Sequence, residues 1–137
     1  MIRFALILLV VVATPVLGRD LSPYAGKYIG CAVSSGTWVP IATTLSVSGD
    51  GLSGDYVFIE APDRWVPGTL AFASREGDAR VTFVWTDIYG TGSASFGFSA
   101  GGNRFDGYWT GNGERFPWSG VRQGSGLPQP DCSAPIS

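Results

Sequence analysis

The chain has 137 residues, a formal net charge of −2, two cysteines and no histidine. The absence of histidine and the scarcity of cysteine remove Ser–His and Cys–His nucleophiles and the common zinc ligand sets. Charged residues are scattered singly, so there is neither the basic patch that nucleic acid requires nor a basic amphipathic helix for a membrane surface.

Residues 1–18 read as a signal peptide. Arg3 supplies the positive start, Phe4 to Ala13 is apolar, and Val16 and Gly18 put small residues before a cleavage site at Arg19. The apolar run is shorter than the roughly 20 residues that span a bilayer. The expectation is a secreted or periplasmic protein without a membrane anchor. Removing 18 of 137 residues leaves 119, enough for one domain. Arg3 leaves with the signal, so 8 basic and 11 acidic residues give the mature chain −3.

After a lead-in at 19–25, the chain is punctuated by Gly, Pro, Asn and Asp into eight runs of alternating character. The predicted strands are 26–34, 38–48, 52–60, 66–74, 79–87, 92–99, 104–110 and 116–122, with an irregular tail over 123–137. The clearest stretch is Arg80 to Trp118. There Val81, Phe83 and Trp85, then Phe96 and Phe98, then Phe105 and Trp109, then Phe116 and Trp118 alternate with polar residues or glycine. A period of two with one apolar face marks half-buried antiparallel strands. Gly49-Asp50-Gly51 and Gly111-Asn112-Gly113 read as hairpin turns, without the ligand density of a calcium loop.

Eight sequential strands on short turns predict an all-β fold, an eight-stranded antiparallel up-and-down barrel over 26–122, with a two-sheet sandwich as the alternative. Two cysteines in an exported chain predict a Cys31–Cys132 disulfide that ties the start of the fold to its tail. Parity places Tyr28, Tyr56, Phe58, Phe72, Phe83, Trp85, Phe96, Phe98, Phe105, Trp109, Phe116, Trp118 and Arg122 inward. Cys31 then faces outward, where the tail can reach it.

Four short motifs carry a resemblance: G-K-Y at Gly26–Tyr28, L-S-G-D-Y at Leu52–Tyr56, F-V-W at Phe83–Trp85 and W-S-G-V-R at Trp118–Arg122. Over about residues 26–122 this resembles the avidin/streptavidin-like and lipocalin barrels, grouped as the calycins. The resemblance implies a small-molecule pocket, with Tyr28 and Arg122 packing together to plug one end. It also implies ligand contacts at Ser34, Tyr56, Trp85 and Trp109. Gly30 stands where the avidin-like pattern has a polar residue for the biotin ureido oxygen, and no acidic residue fills the ligand-binding role in the last-strand region. Biotin is therefore not the expected ligand.

The remaining candidates for chemistry are the carboxylates Glu60, Asp63, Asp87 and Glu114. Asp87 has inward parity near a strand end, which suits either a ligand acceptor at the barrel mouth or a turn-initiating aspartate at the rim. Glu60 and Arg64 suit a rim ion pair. The aromatics either fill the barrel or line an open end, in which case Tyr56, Trp85, Trp109 and Trp38 form the pocket. The leading expectation is a non-enzymatic binding protein, needing no cofactor or metal, that holds a small, largely apolar ligand. The alternatives are an inhibitor or interaction module presenting loops 36–40, 61–66, 88–92 and 111–115 to a target protein, and an enzyme using Asp87 or Glu60 alone.

Overall fold

The computed structural model describes residues 20–133. The predicted signal peptide and the last residues of the tail lie outside them. Eight strands close into one antiparallel barrel in sequence order, with the last strand paired to the first. They are β1 (Gly26–Ser34), β2 (Thr37–Ser48), β3 (Gly51–Glu60), β4 (Arg64–Glu76), β5 (Arg80–Asp87), β6 (Gly90–Phe98), β7 (Arg104–Gly111) and β8 (Glu114–Arg122). Each predicted run is thus a strand, and the barrel rather than the sandwich is the architecture. Closure is made by the β1–β8 ladder, from Tyr28 opposite Arg122 to Ala32 opposite Trp118.

Four of the hairpins turn on two residues, at 35–36, 49–50, 88–89 and 112–113. Ser35 and Gly36 join β1 to β2, and Asn112 and Gly113 join β7 to β8, each pair with positive φ at both positions. This turn geometry follows the right-handed twist of the flanking strands. The hairpins at 35–36 and 112–113 lie at the same end of the barrel as the turns at 61–63 and 88–89. That end is the mouth.

The opposite end is plugged. Single 3₁₀ turns at Ser22–Tyr24 and Ala100–Gly102 lie across it. The Tyr28 hydroxyl sits 2.9 Å from the carbonyl oxygens of both Tyr24 and Gly102, and accepts a 3.0 Å bond from the Arg122 guanidinium. Arg122 also donates to the carbonyls of Pro23 and Gly101, and its charge lies 5.5 Å from the Tyr28 ring centre. One arginine therefore staples the lead-in, the first strand and the β6–β7 connection. Burial pushes the Tyr28 phenol above its ordinary value, against the opposing pull of Arg122.

Between plug and mouth the core is aromatic. Tyr28, Phe83, Phe96 and Phe105 are fully buried. Phe96 stacks on Phe105 at 4.1 Å and meets Phe83 at 5.2 Å and Trp118 at 4.9 Å. Offset and edge contacts of this kind add to the gain from burial alone. One residue on the inward face, paired with Phe83, is not buried. Phe72 is 39% exposed, because β3 stops pairing with β4 at Gly54 opposite Leu70, and a register shift follows Phe72. Its ring instead covers Gly51, where a methyl group would fall 2.6 Å from it.

Cys31 and Cys132 form the predicted disulfide, and Cys31 lies outside the aromatic core, as its parity requires. The tail through Ser133 is irregular and carries Cys132 to within 3.2 Å of the Gly30 carbonyl. The bridge joins positions 101 apart. Replacing both cysteines by serine is expected to lower unfolding free energy by up to about 4–5 kcal/mol, since it frees a long loop in the unfolded chain. Guanidinium unfolding checks the loss. An unchanged far-UV spectrum in the variant checks that the β1–β8 ladder closes without the bridge.

Candidate functional site

The mouth opens into a cavity of about 750 Å³. Its walls include Val39, Ile41, Phe58, Trp85, Trp109 and Phe116, and Trp118 forms part of the lining. The polar groups are Ser34, Ser35, Tyr56, Asp87, Tyr89, Thr91, Asn112 and Glu114, most of them at the rim. An apolar concavity with a handful of polar groups is the usual composition of a small-molecule site.

Four of these aromatic side chains are held in a common way. The Tyr56 hydroxyl, on β3, donates to Asp87 Oδ2 on β5 at 2.7 Å. The Trp85 indole N–H, on β5, donates to the Thr110 carbonyl on β7 at 3.0 Å. Trp109, on β7, donates to the Val33 carbonyl on β1 at 2.9 Å, and Trp118, on β8, to Thr43 Oγ1 on β2 at 3.1 Å. Each bond reaches the next strand but one, always in the same sense around the barrel. The rings therefore lie along the wall rather than across the lumen.

Lying along the wall demands room on the strand that is crossed. Tyr56 is paired with Gly68, which is paired in turn with Asp87. A methyl group on Gly68 would come within 2.1 Å of Tyr56 Cζ. Trp85 is paired with Gly92, where a methyl group would come within 2.7 Å of the indole nitrogen. Trp118 crosses above Ala32 in the same manner. Trp109 crosses Phe116 and stacks on it at 4.4 Å. Small residues opposite the large ones thus leave the lumen open at this end.

Asp87 combines both roles read from the sequence. Its Oδ1 accepts the backbone N–H of Tyr89 at 2.8 Å, which initiates the β5–β6 turn, while Oδ2 accepts a hydrogen bond from the Tyr56 hydroxyl. Burial and the adjacent Asp87 carboxylate push the Tyr56 phenol far above its ordinary value. Tyr89 extends over the mouth, its ring 6.4 Å from Phe58 and its hydroxyl 2.8 and 2.7 Å from the two Glu60 oxygens. That bond with Glu60 raises the Tyr89 phenol as well. Glu60 and Arg64 are 4.0 Å apart with Arg64 largely exposed, a contact that contributes little.

Of the predicted ligand residues, Ser34, Tyr56, Trp85, Asp87 and Trp109 come together in this cavity. Trp38 does not. It alternates with Val39, which faces the lumen, so its ring is directed to the outside of β2. Sequence reasoning named Glu114 only as a candidate carboxylate and did not name Tyr89, and both line the cavity. Their signal was available in the turns: both stand beside turns that the strand count puts at the mouth. A second depression of about 740 Å³ is more open and lies on the outer wall, with Thr44, Asp55, Val57, Pro67 and Thr69 in its lining. Among the described residues no group of three or more potential metal ligands converges.

Because the native state raises the Tyr56 phenol, the unfolded chain ionises first, near the ordinary tyrosine value of about 10. The stabilisation is complete below that pH and is lost as pH rises above it. Stability measured by urea unfolding should fall from about pH 10 upward, and Asp87→Asn should make the fall shallower. No known protein family, curated protein or solved structure matches the chain.

Proposed function

We propose that this is an exported, non-enzymatic binding protein that holds a small, largely apolar ligand in the open end of its barrel. The observation that carries the reading is the aromatic cavity itself, about 750 Å³ deepening from a mouth of four turns towards a plugged end. A core evolved only for stability gains from filling its lumen, since buried side chains pack to crystal-like density. Here four aromatic rings are instead drawn onto the wall by directed hydrogen bonds. The disulfide and the signal-like residues 1–18 support export. The plug at Tyr28 and Arg122 and the up-and-down topology are in keeping with a calycin-like barrel.

A second reading has its own observation. Trp65 is 65% exposed and Ile88 60% exposed, both at the mouth end. Large apolar side chains at a rim suit contact with a protein target, as in an inhibitor.

Native mass spectrometry of the mature protein, purified gently from its own host, separates the two. The expected result is extra mass of a few hundred daltons that is lost on denaturation. Trp85→Ala should then weaken recapture of that ligand at least about tenfold, while Trp65→Ala leaves it unchanged, because a buried aromatic wall contributes on the order of 1.4 kcal/mol or more to binding. A clean chain mass, with Trp65→Ala abolishing capture of a protein partner, would establish the second reading instead.

A further inference from the structure

The cavity is asymmetric in its chemistry, and the asymmetry specifies the head group of what it takes. The donors of its aromatic walls are already committed, and the side-chain donors left are the small rim groups of Ser34, Ser35 and Asn112. The indole N–H groups of Trp85, Trp109 and Trp118 bond to Thr110, Val33 and Thr43, and the Tyr56 hydroxyl bonds to Asp87. The Thr91 hydroxyl is held by the Trp85 carbonyl at 2.8 Å. Acceptors are in surplus. Each Asp87 oxygen receives one hydrogen bond, from Tyr56 and Tyr89, and a carboxylate oxygen has capacity for two.

Charge points the same way. Asp87 and Glu114 line the cavity, and no Lys or Arg does among the described residues. The basic residues nearest the mouth are engaged elsewhere. Arg64 faces Glu60, and Arg115 lies over the outward Tyr108 ring at 4.3 Å. Asp87 itself has no ion-pair partner among the described residues. The negative faces of Trp85 and Trp109, which meet edge to face at 5.5 Å, flank the same space. Aromatic faces and a carboxylate together attract an organic cation, the more so where water is excluded.

We infer that the cavity selects ligands carrying a cationic nitrogen, an ammonium or amidinium on an apolar body, with that nitrogen at Asp87 Oδ2 and the body against Trp85, Trp109 and Phe116. This rests on the barrel being a ligand carrier and adds the chemical class. Anionic amphiphiles such as fatty acids would meet two carboxylates and no counter-charge, and are excluded by the same geometry.

Isothermal titration of the mature protein with 4-phenylbutylamine, 4-phenylbutanol and 4-phenylbutyrate holds the apolar body constant and changes only the head group. The expected order is amine, then alcohol, then acid, with the amine at least about tenfold tighter than the alcohol, the scale of a close charge pair or cation–π contact. Asp87→Asn should bring the amine to within about threefold of the alcohol measured on the same variant. The order is read in the unaltered protein, so it stands whether or not the variant folds. Equal or tighter binding of the alcohol or the acid would overturn the inference and leave the carrier intact. Failure of all three to bind would overturn both.

Discussion

The open end of this barrel depends on four hydrogen bonds that tie aromatic side chains to the next strand but one. A buried indole N–H or phenol O–H must find an acceptor, because leaving it unpaired costs on the order of 1–3 kcal/mol. Tyr56, Trp85, Trp109 and Trp118 find theirs along the wall, in Asp87, Thr110, Val33 and Thr43. That requirement decides where the rings lie. Phenylalanine has no such requirement, and the Phe83, Phe96 and Phe105 rings pack together on the plugged side as ordinary core. Hydrogen-bonded aromatics therefore supply much of the cavity wall, together with Phe58 and Phe116, while Phe83, Phe96 and Phe105 fill the core below.

The same constraint explains small residues in the strands. Gly68 and Gly92 stand beneath Tyr56 and Trp85, and Ala32 is paired with Trp118. Glycine inside a strand weakens it in isolation, so its presence points to a close approach by something else. In this barrel the approaching group is a cross-strand ring. The contact also restores apolar cover over a backbone that glycine leaves bare.

The two ends divide the labour. At the plug, Arg122 has no ion-pair partner among the described residues; it collects carbonyl oxygens and the Tyr28 hydroxyl, and so fixes the lead-in and the β6–β7 connection against the barrel. At the mouth, Asp87 and Glu60 anchor Tyr56 and Tyr89 through their hydroxyls. Positive charge holds the closed end together and negative charge furnishes the open one. A lumen between them has a built-in polarity, and the proposed preference for a cationic head group rests on it.

Much of this was legible in the sequence, because period-two alternation is a local property of an extended chain. It gave the strands nearly residue by residue, the inward face, the outward Cys31 and its pairing with Cys132, and the grouping of Tyr56, Trp85, Asp87 and Trp109. Parity states only which face a residue takes, not how far along the barrel its neighbour extends. Phe72 shows this, inward by count yet exposed where β3 pairing ends. Which way a ring leans was decided only by tertiary structure. Tyr56 and Asp87 are 31 positions apart and Trp109 and Val33 are 76 apart, so their meeting depends on strand register and on barrel closure. The sequence by itself determined eight antiparallel strands with an aromatic inner face, and the β1–β8 pairing decided for the barrel over the sandwich. The register between distant strands decided that the barrel's upper half would be a cavity.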